Sequence, residues 1–225
     1  MLALDCGFLL VHGLKEVVPL LDVHMLHLES SSGLAERFQY LKELVIIALL
    51  LVIARRRGLG YLMWAALFAY VFCDDFFKIH QNAGLYLANS LQLSNPIIGA
   101  QNVGELFVSI GAGSLLFALI ACSYAVGSRV FRAFSHDLLL LFGLFVFFGL
   151  VLDLLPALLC MHRVAASILV GIEEGGELIA MSLMLIYAYR VSAMDRGAHL
   201  QGIDALPKRF LGCVRAIDRP SRLPA

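Results

Sequence analysis

Charge is scarce in this chain. Asp, Glu, Lys and Arg make up 15% of its 225 residues and hydrophobic residues 60%, whereas a soluble domain carries about 25% charged and about 45–50% apolar residues. That balance excludes an ordinary soluble domain and points to an integral membrane protein. Cysteine is sparse as well. Cys6, Cys73, Cys122, Cys160 and Cys213 show no CxxC spacing, which excludes a zinc ribbon or a dense disulfide framework and reads as buried free thiols. GxSxG, P-loop and HExxH motifs are all missing, so acyl transfer, phosphate cradling and zinc-peptidase chemistry have no support. A net charge of zero argues against nucleic acid as a partner. There is no internal repeat. Met1 to Phe8 lacks a basic stretch and no cleavage site follows, so a cleaved signal peptide is not expected.

What the chain does have is long apolar runs, at about 39–54, 60–80, 96–126, 137–160 and 164–189. Each reaches or approaches the ~20 helical residues needed to cross about 30 Å of hydrocarbon. The expected fold is therefore an all-α membrane bundle of five transmembrane helices. Before the first run, Leu14, Val17, Val18, Leu21, Met25 and Leu28 fall on one stripe at helical spacing, the pattern of an amphipathic helix lying in the interface. The expected organisation is an interfacial segment over 1–38, a membrane domain over 39–190 and a basic tail over 191–225.

Twelve of the seventeen basic residues fall on one side of a five-span arrangement, including Arg55, Arg56, Arg57, Arg129, Arg132 and Arg190. By the positive-inside rule that side faces the cytoplasm, which puts the amino terminus outside and the carboxyl terminus inside a cell membrane. Thirteen of the seventeen acids lie in the other half or beyond it.

Acids in apolar runs call for a reason, since a carboxylate at the bilayer centre costs roughly 2.5–3.5 kcal/mol on insertion scales. Glu43, Asp74, Asp75, Glu105, Asp153, Glu173, Glu174 and Glu177 lie early in odd-numbered runs or late in even-numbered ones, which gives them one common leaflet. Glu43 is the shallowest and is read as pairing with Lys42 or reaching water. Asp74 and Lys78 are spaced for an intrahelical ion pair. Gln101, Asn102, Glu105, Ser109 and Gly113 form one polar stripe that should face the bundle interior. Pro156 cannot bond the carbonyl of Leu152, so broken backbone is expected beside Asp153. Gly171 and Gly175 form GxxxG and suit close contact with a neighbouring helix or a second copy.

Carboxylates from several helices with a histidine are the ingredients of a buried metal centre, although the Glu-x-x-His of di-iron bundles is absent. The candidate ligands are Asp75, Glu105, Asp153, Glu174 and Glu177, with His80 as a further candidate and Glu173 as an alternative or supporting ligand. Iron or manganese is favoured, with calcium or zinc as other options. A metal there would suit redox chemistry on a lipid-soluble substrate. Two readings need no metal: a proton- or cation-coupled transporter or sensor, and a non-catalytic assembly subunit. His24 and His27 are at ligand spacing but read better as a solvated face. The tail is expected to rest on anionic lipid headgroups.

Overall fold

The computed structural model describes residues 2, 4–7, 34–93, 99–152, 155, 158–159 and 163–193, and the side chains of 163–167 are not described. The amphipathic stripe of residues 14–28, His24, His27, Asp153, Pro156, Cys160, His162 and the basic tail lie outside the described residues. The described chain is all-α. Its helices are α1 (Leu34–Arg57), α2 (Tyr61–Phe77), α3 (Ile79–Ser90), α4 (Ala100–Val126), α5 (Arg129–Val146) with a π-helical continuation over Phe147–Leu152, and α6 (Arg163–Ala193). A helical turn at residues 4–7 precedes them.

All five apolar runs are occupied by a long helix, but among the described residues only two helices are long and apolar enough by themselves to cross a membrane: α4, and α5 with its π continuation over Arg129–Leu152. The others differ for physical reasons. α2 has 17 residues, while α1 carries Lys42 and Glu43 and α6 carries Glu173, Glu174 and Glu177.

α1 packs against α2 and α6, and α5 against α6. Their shared core includes Ile46, Leu50, Trp64, Phe68, Phe134, Leu138, Phe142, Met181 and Met184. Trp64 donates its indole N–H to Ser135 Oγ at 3.0 Å inside this core, so the polar edge of a fully buried ring is satisfied. Tyr61 meets Phe131 and Phe134 edge-on or tilted, and Phe134 stacks on Tyr187.

α3 occupies most of the polar uncharged stretch from Gln81 to Asn95, whose composition reads as a connection between the second and third runs. Two features make it a helix. Lys78 adopts a left-handed conformation, φ 53°, and closes α2 with its N–H on the Asp74 carbonyl. Asp74 then caps the new helix, its carboxylate accepting from the His80 N–H at 2.8 Å, where anionic oxygen is favoured by the exposed amides and the dipole. α3 next crosses α4 at a pair of glycines, the Gly84 carbonyl lying where a Cβ on Gly104 would stand.

α5 begins earlier than the apolar run suggests, because Ser128 caps it by accepting from the Phe131 N–H at 3.2 Å. At its far end the helix widens into a π segment over Phe147–Leu152.

A few polar and charged side chains are enclosed in an otherwise apolar core, and many large apolar side chains lie on the outside. Lys42, Glu43, Asp5 and Ser182 are buried, while Leu41, Leu44, Leu51, Phe107, Ile110, Leu115 and Leu140 are exposed. Two expectations fail at this level. Cys6 and Cys122 are exposed and Cys73 half-buried, so none of the three is a buried thiol. The polar stripe of α4 is only partly turned inward: Gln101 is exposed and a Cβ at Gly113 would meet nothing, because α4 touches the bundle mainly through α3.

Candidate functional site: a buried polar layer

The acids gather where α1, α2 and α6 meet, at the end of the bundle away from the arginines. Glu43 on α1 is completely buried. It approaches the carboxyl of Asp75 on α2 and the amide of Gln39, with Glu177 of α6 within electrostatic range. Neither Glu43 carboxyl oxygen reaches a hydrogen bond of good geometry. The Glu43 and Asp75 carboxyls therefore adjoin around a side chain with no water contact, with the Glu177 charge close enough to be felt.

Glu177 is held in this layer by the π segment. Its carboxyl occupies the space where a Cβ on Gly149 would stand, so a side chain there would push the carboxyl aside. One residue earlier, the Phe148 ring fills the corresponding space over Gly176. The close approach visible on α6 is thus at Gly176, next to the Gly171 and Gly175 of the expected contact; Gly175 is buried and Gly171 half-buried.

Next to Glu43, Lys42 takes a partner that the sequence did not suggest. Its ammonium lies 2.7 Å from Asp5 Oδ1 with both side chains fully buried, donates to the Leu178 carbonyl at 2.8 Å, and stands 4.7 Å above the Phe38 ring. Ser182 Oγ donates to the other Asp5 oxygen at 2.6 Å. Glu43 therefore neither pairs with Lys42 nor reaches water, because the ammonium is committed to Asp5 and Leu178 on the opposite side.

Asp74 and Asp75 are consecutive and turn apart. Asp75 belongs with Glu43, while Asp74 holds the His80 Nδ1 at 2.8 Å. The expected Asp74–Lys78 pair is replaced, since the left-handed turn sends Lys78 to Glu36 at 2.9 Å. Glu36 also accepts from the Tyr40 hydroxyl at 2.6 Å. The same turn brings His80 back toward Asp74, away from Asp75. Its basicity rises above that of an ordinary histidine, first through the Asp74 hydrogen bond, against burial, and with Glu105 and Asp75 adding in the same direction. Glu105 accepts from Gln101 Nε2 at 2.8 Å.

The expected ligands thus divide into two adjoining groups. Asp75 and Glu177 lie with Glu43; His80 and Glu105 lie with Asp74; Glu173 and Glu174 lie one turn up α6 from Glu177 and are half-buried. Asp153 is outside the described residues. Among the described residues no three His, Cys, Asp or Glu side chains converge as a metal site. Sequence reasoning undervalued Glu43 and missed Asp5, Ser182 and Tyr40. For Glu43 a signal existed, since a helical α1 with exposed Leu41 and Leu44 must turn residues 42 and 43 inward. Asp5 had none.

Neither the curated proteins nor the solved structures contain a match to this chain. A family model, described as a domain of unknown function (DUF8692), matches residues 22–191. This covers α1 to α5, the π segment and nearly all of α6, with the Glu43, Asp75 and Glu177 layer inside it and Asp5 before it, and the chain belongs to that family.

Proposed function

We propose that this chain is a multi-pass membrane protein in which the Glu43–Asp75 pair, with Glu177, takes up and releases a proton or a small cation. The observation that carries the reading is Glu43: fully buried, with both carboxyl oxygens lacking a good hydrogen bond and two further acids close by. An isolated buried carboxylate is costly by several kcal/mol, so its low-energy forms are a proton shared with Asp75 or a bound cation. Proton carriers and cation sites within membranes are built this way.

The membrane setting is supported by the many large apolar side chains left exposed and by the two helices long and apolar enough to span among the described residues. In the five-span arrangement α1, α2 and α6 cross as well, their charged residues turned to the interior and leucines to lipid. The amino terminus is then outside and the arginine-rich end cytoplasmic. Charge uptake by a site reached from one face suits a proton- or cation-coupled transporter or sensor.

A second reading keeps a divalent or redox metal, iron or manganese above calcium or zinc, with Asp75, Glu173, Glu174, Glu177, His80 and Glu105 as candidate ligands and Asp153 outside the described residues. It is favoured by Gly149, which admits the Glu177 carboxyl into the layer beside the π segment. One set of measurements separates the two. Purified protein is analysed for metals, and proteoliposomes carrying a pH-sensitive dye are challenged with proton, sodium and potassium gradients. Gradient-driven dye response that Glu43→Gln abolishes supports the first reading. Stoichiometric metal lost in Glu177→Ala supports the second. Silence in both assays rejects the site as functional and leaves an assembly subunit.

A further inference from the structure

Opposite the acids, six arginines share one end of the bundle. Arg55, Arg56 and Arg57 close α1, Arg190 lies in the last turn of α6, and Arg129 and Arg132 open α5. Contacts tie these ends together: Arg57 reaches the Val191 carbonyl at 2.8 Å, and Tyr61 at the start of α2 meets Phe131.

The six do different work. Arg56 and Arg57 donate to the Ser192 and Val191 carbonyls, tying the end of α1 to α6. Arg55, Arg129, Arg132 and Arg190 are exposed. Among the described residues none of these four has a hydrogen-bond or ion-pair partner. The carboxylate at this end, Asp137, already accepts from Tyr187 at 3.0 Å. Arg129 and Arg132 also stand at a helix start, where positive charge opposes the dipole, so their placement does nothing for α5 itself. Large apolar and aromatic groups are exposed among them: Leu59, Tyr124, Val126 and Tyr189. Guanidinium beside exposed leucine, valine and tyrosine matches a lipid headgroup boundary, where stems and rings enter the acyl region and cations meet phosphate. A nucleic-acid surface would gain nothing from Leu59 and Val126.

We propose that this end of the bundle binds the phosphates of anionic lipids through Arg55, Arg129, Arg132 and Arg190, with Arg56 and Arg57 serving the fold. This rests on the membrane reading above. The full chain, solubilised in neutral detergent, is titrated with a fluorescent phosphatidylglycerol and competed with unlabelled phosphatidylglycerol, phosphatidylcholine, inorganic phosphate and a single-stranded oligonucleotide. Phosphatidylglycerol is expected to displace the probe at least about tenfold better than phosphatidylcholine, with about fivefold lost for each arginine neutralised. Arg129→Gln/Arg132→Gln and the quadruple Gln variant lose that preference at an unchanged unfolding temperature. Arg56→Gln/Arg57→Gln keeps it while unfolding sooner. The double variant decides the matter if the quadruple one does not fold.

Equal displacement by the two lipids, by inorganic phosphate or by the oligonucleotide overturns the proposal, as does a preference that survives the Arg129/Arg132 changes. Alkaline carbonate extraction of native membranes is run beside it. Release of the chain sinks the membrane reading, whereas a retained chain without lipid preference sinks this inference alone.

Discussion

Lys42 Nζ stands 2.7 Å from Asp5 Oδ1 with neither side chain exposed, and this pair fastens the first turn of the chain to α1 and, through Ser182 and Leu178, to α6. Removing one member leaves the other buried without its counter-charge, which typically costs 3–5 kcal/mol. Asp5→Asn and Lys42→Met should each lower the detergent unfolding midpoint strongly. The double change Asp5→Leu/Lys42→Met should recover most of the loss. A double variant as unstable as the sum of the singles would show that the pair itself, rather than its completeness, supports the fold.

Gly176 and Gly143 make opposite predictions. A Cβ at Gly176 collides with the Phe148 ring, while one at Gly143 meets nothing. Gly176→Ala should destabilise by about 1–3 kcal/mol, and Gly143→Ala should gain about 0.5–1 kcal/mol from the more restricted unfolded chain. Parallel thermal melts read both signs. Gly149→Ala, which only pushes aside the far end of the flexible Glu177 side chain, should cost little.

At the crossing of α3 and α4 there is no side chain to yield. Gly104→Ala drives a methyl into the Gly84 carbonyl, and Gly84→Ala drives one into the backbone of Glu105. Either should loosen α3 from α4 at about 1–3 kcal/mol. Faster hydrogen exchange over residues 79–90, with residues 61–77 unchanged, is the expected readout.

The Asp74–His80 contact predicts a pH dependence of definite sign. The folded His80 is more basic than its unfolded counterpart, so its contribution is fully present below the ordinary histidine range and fades as pH rises through the folded value. Being partly exposed, the pair is worth at most about 1 kcal/mol. Wild type should lose that stability between mildly acidic and alkaline pH, and His80→Gln should flatten the dependence. A slope of the opposite sign would contradict the pairing.

Much of the helical layout was legible because apolar periodicity and length report directly on helices, and all five runs carry one. The alternation of helix direction assigns Asp75 and Glu177 one leaflet, but it says nothing of which helices adjoin. Local backbone events were not legible. The left-handed Lys78 sends its own ammonium to Glu36 and turns His80 toward Asp74, and no spacing rule for straight helices foresees that. Nor does spacing reveal Asp5, whose role depends on a contact with Ser182, far along the chain. Glu43 was misjudged because depth was counted from the end of an apolar run starting at 39, whereas α1 starts at Leu34 and carries it farther inside.

Glu43, buried beside Asp75, is proposed to hold a proton or a cation with it. Infrared difference spectroscopy of the protein in lipid, comparing acidic with alkaline buffer, reads this through the carbonyl stretch of protonated carboxyl groups. A band is expected at neutral pH that Glu43→Gln removes or shifts, and that sodium or a divalent ion diminishes if a cation replaces the proton. A wild-type spectrum at neutral pH without such a band, unchanged by Glu43→Gln and by every cation tried, would contradict it.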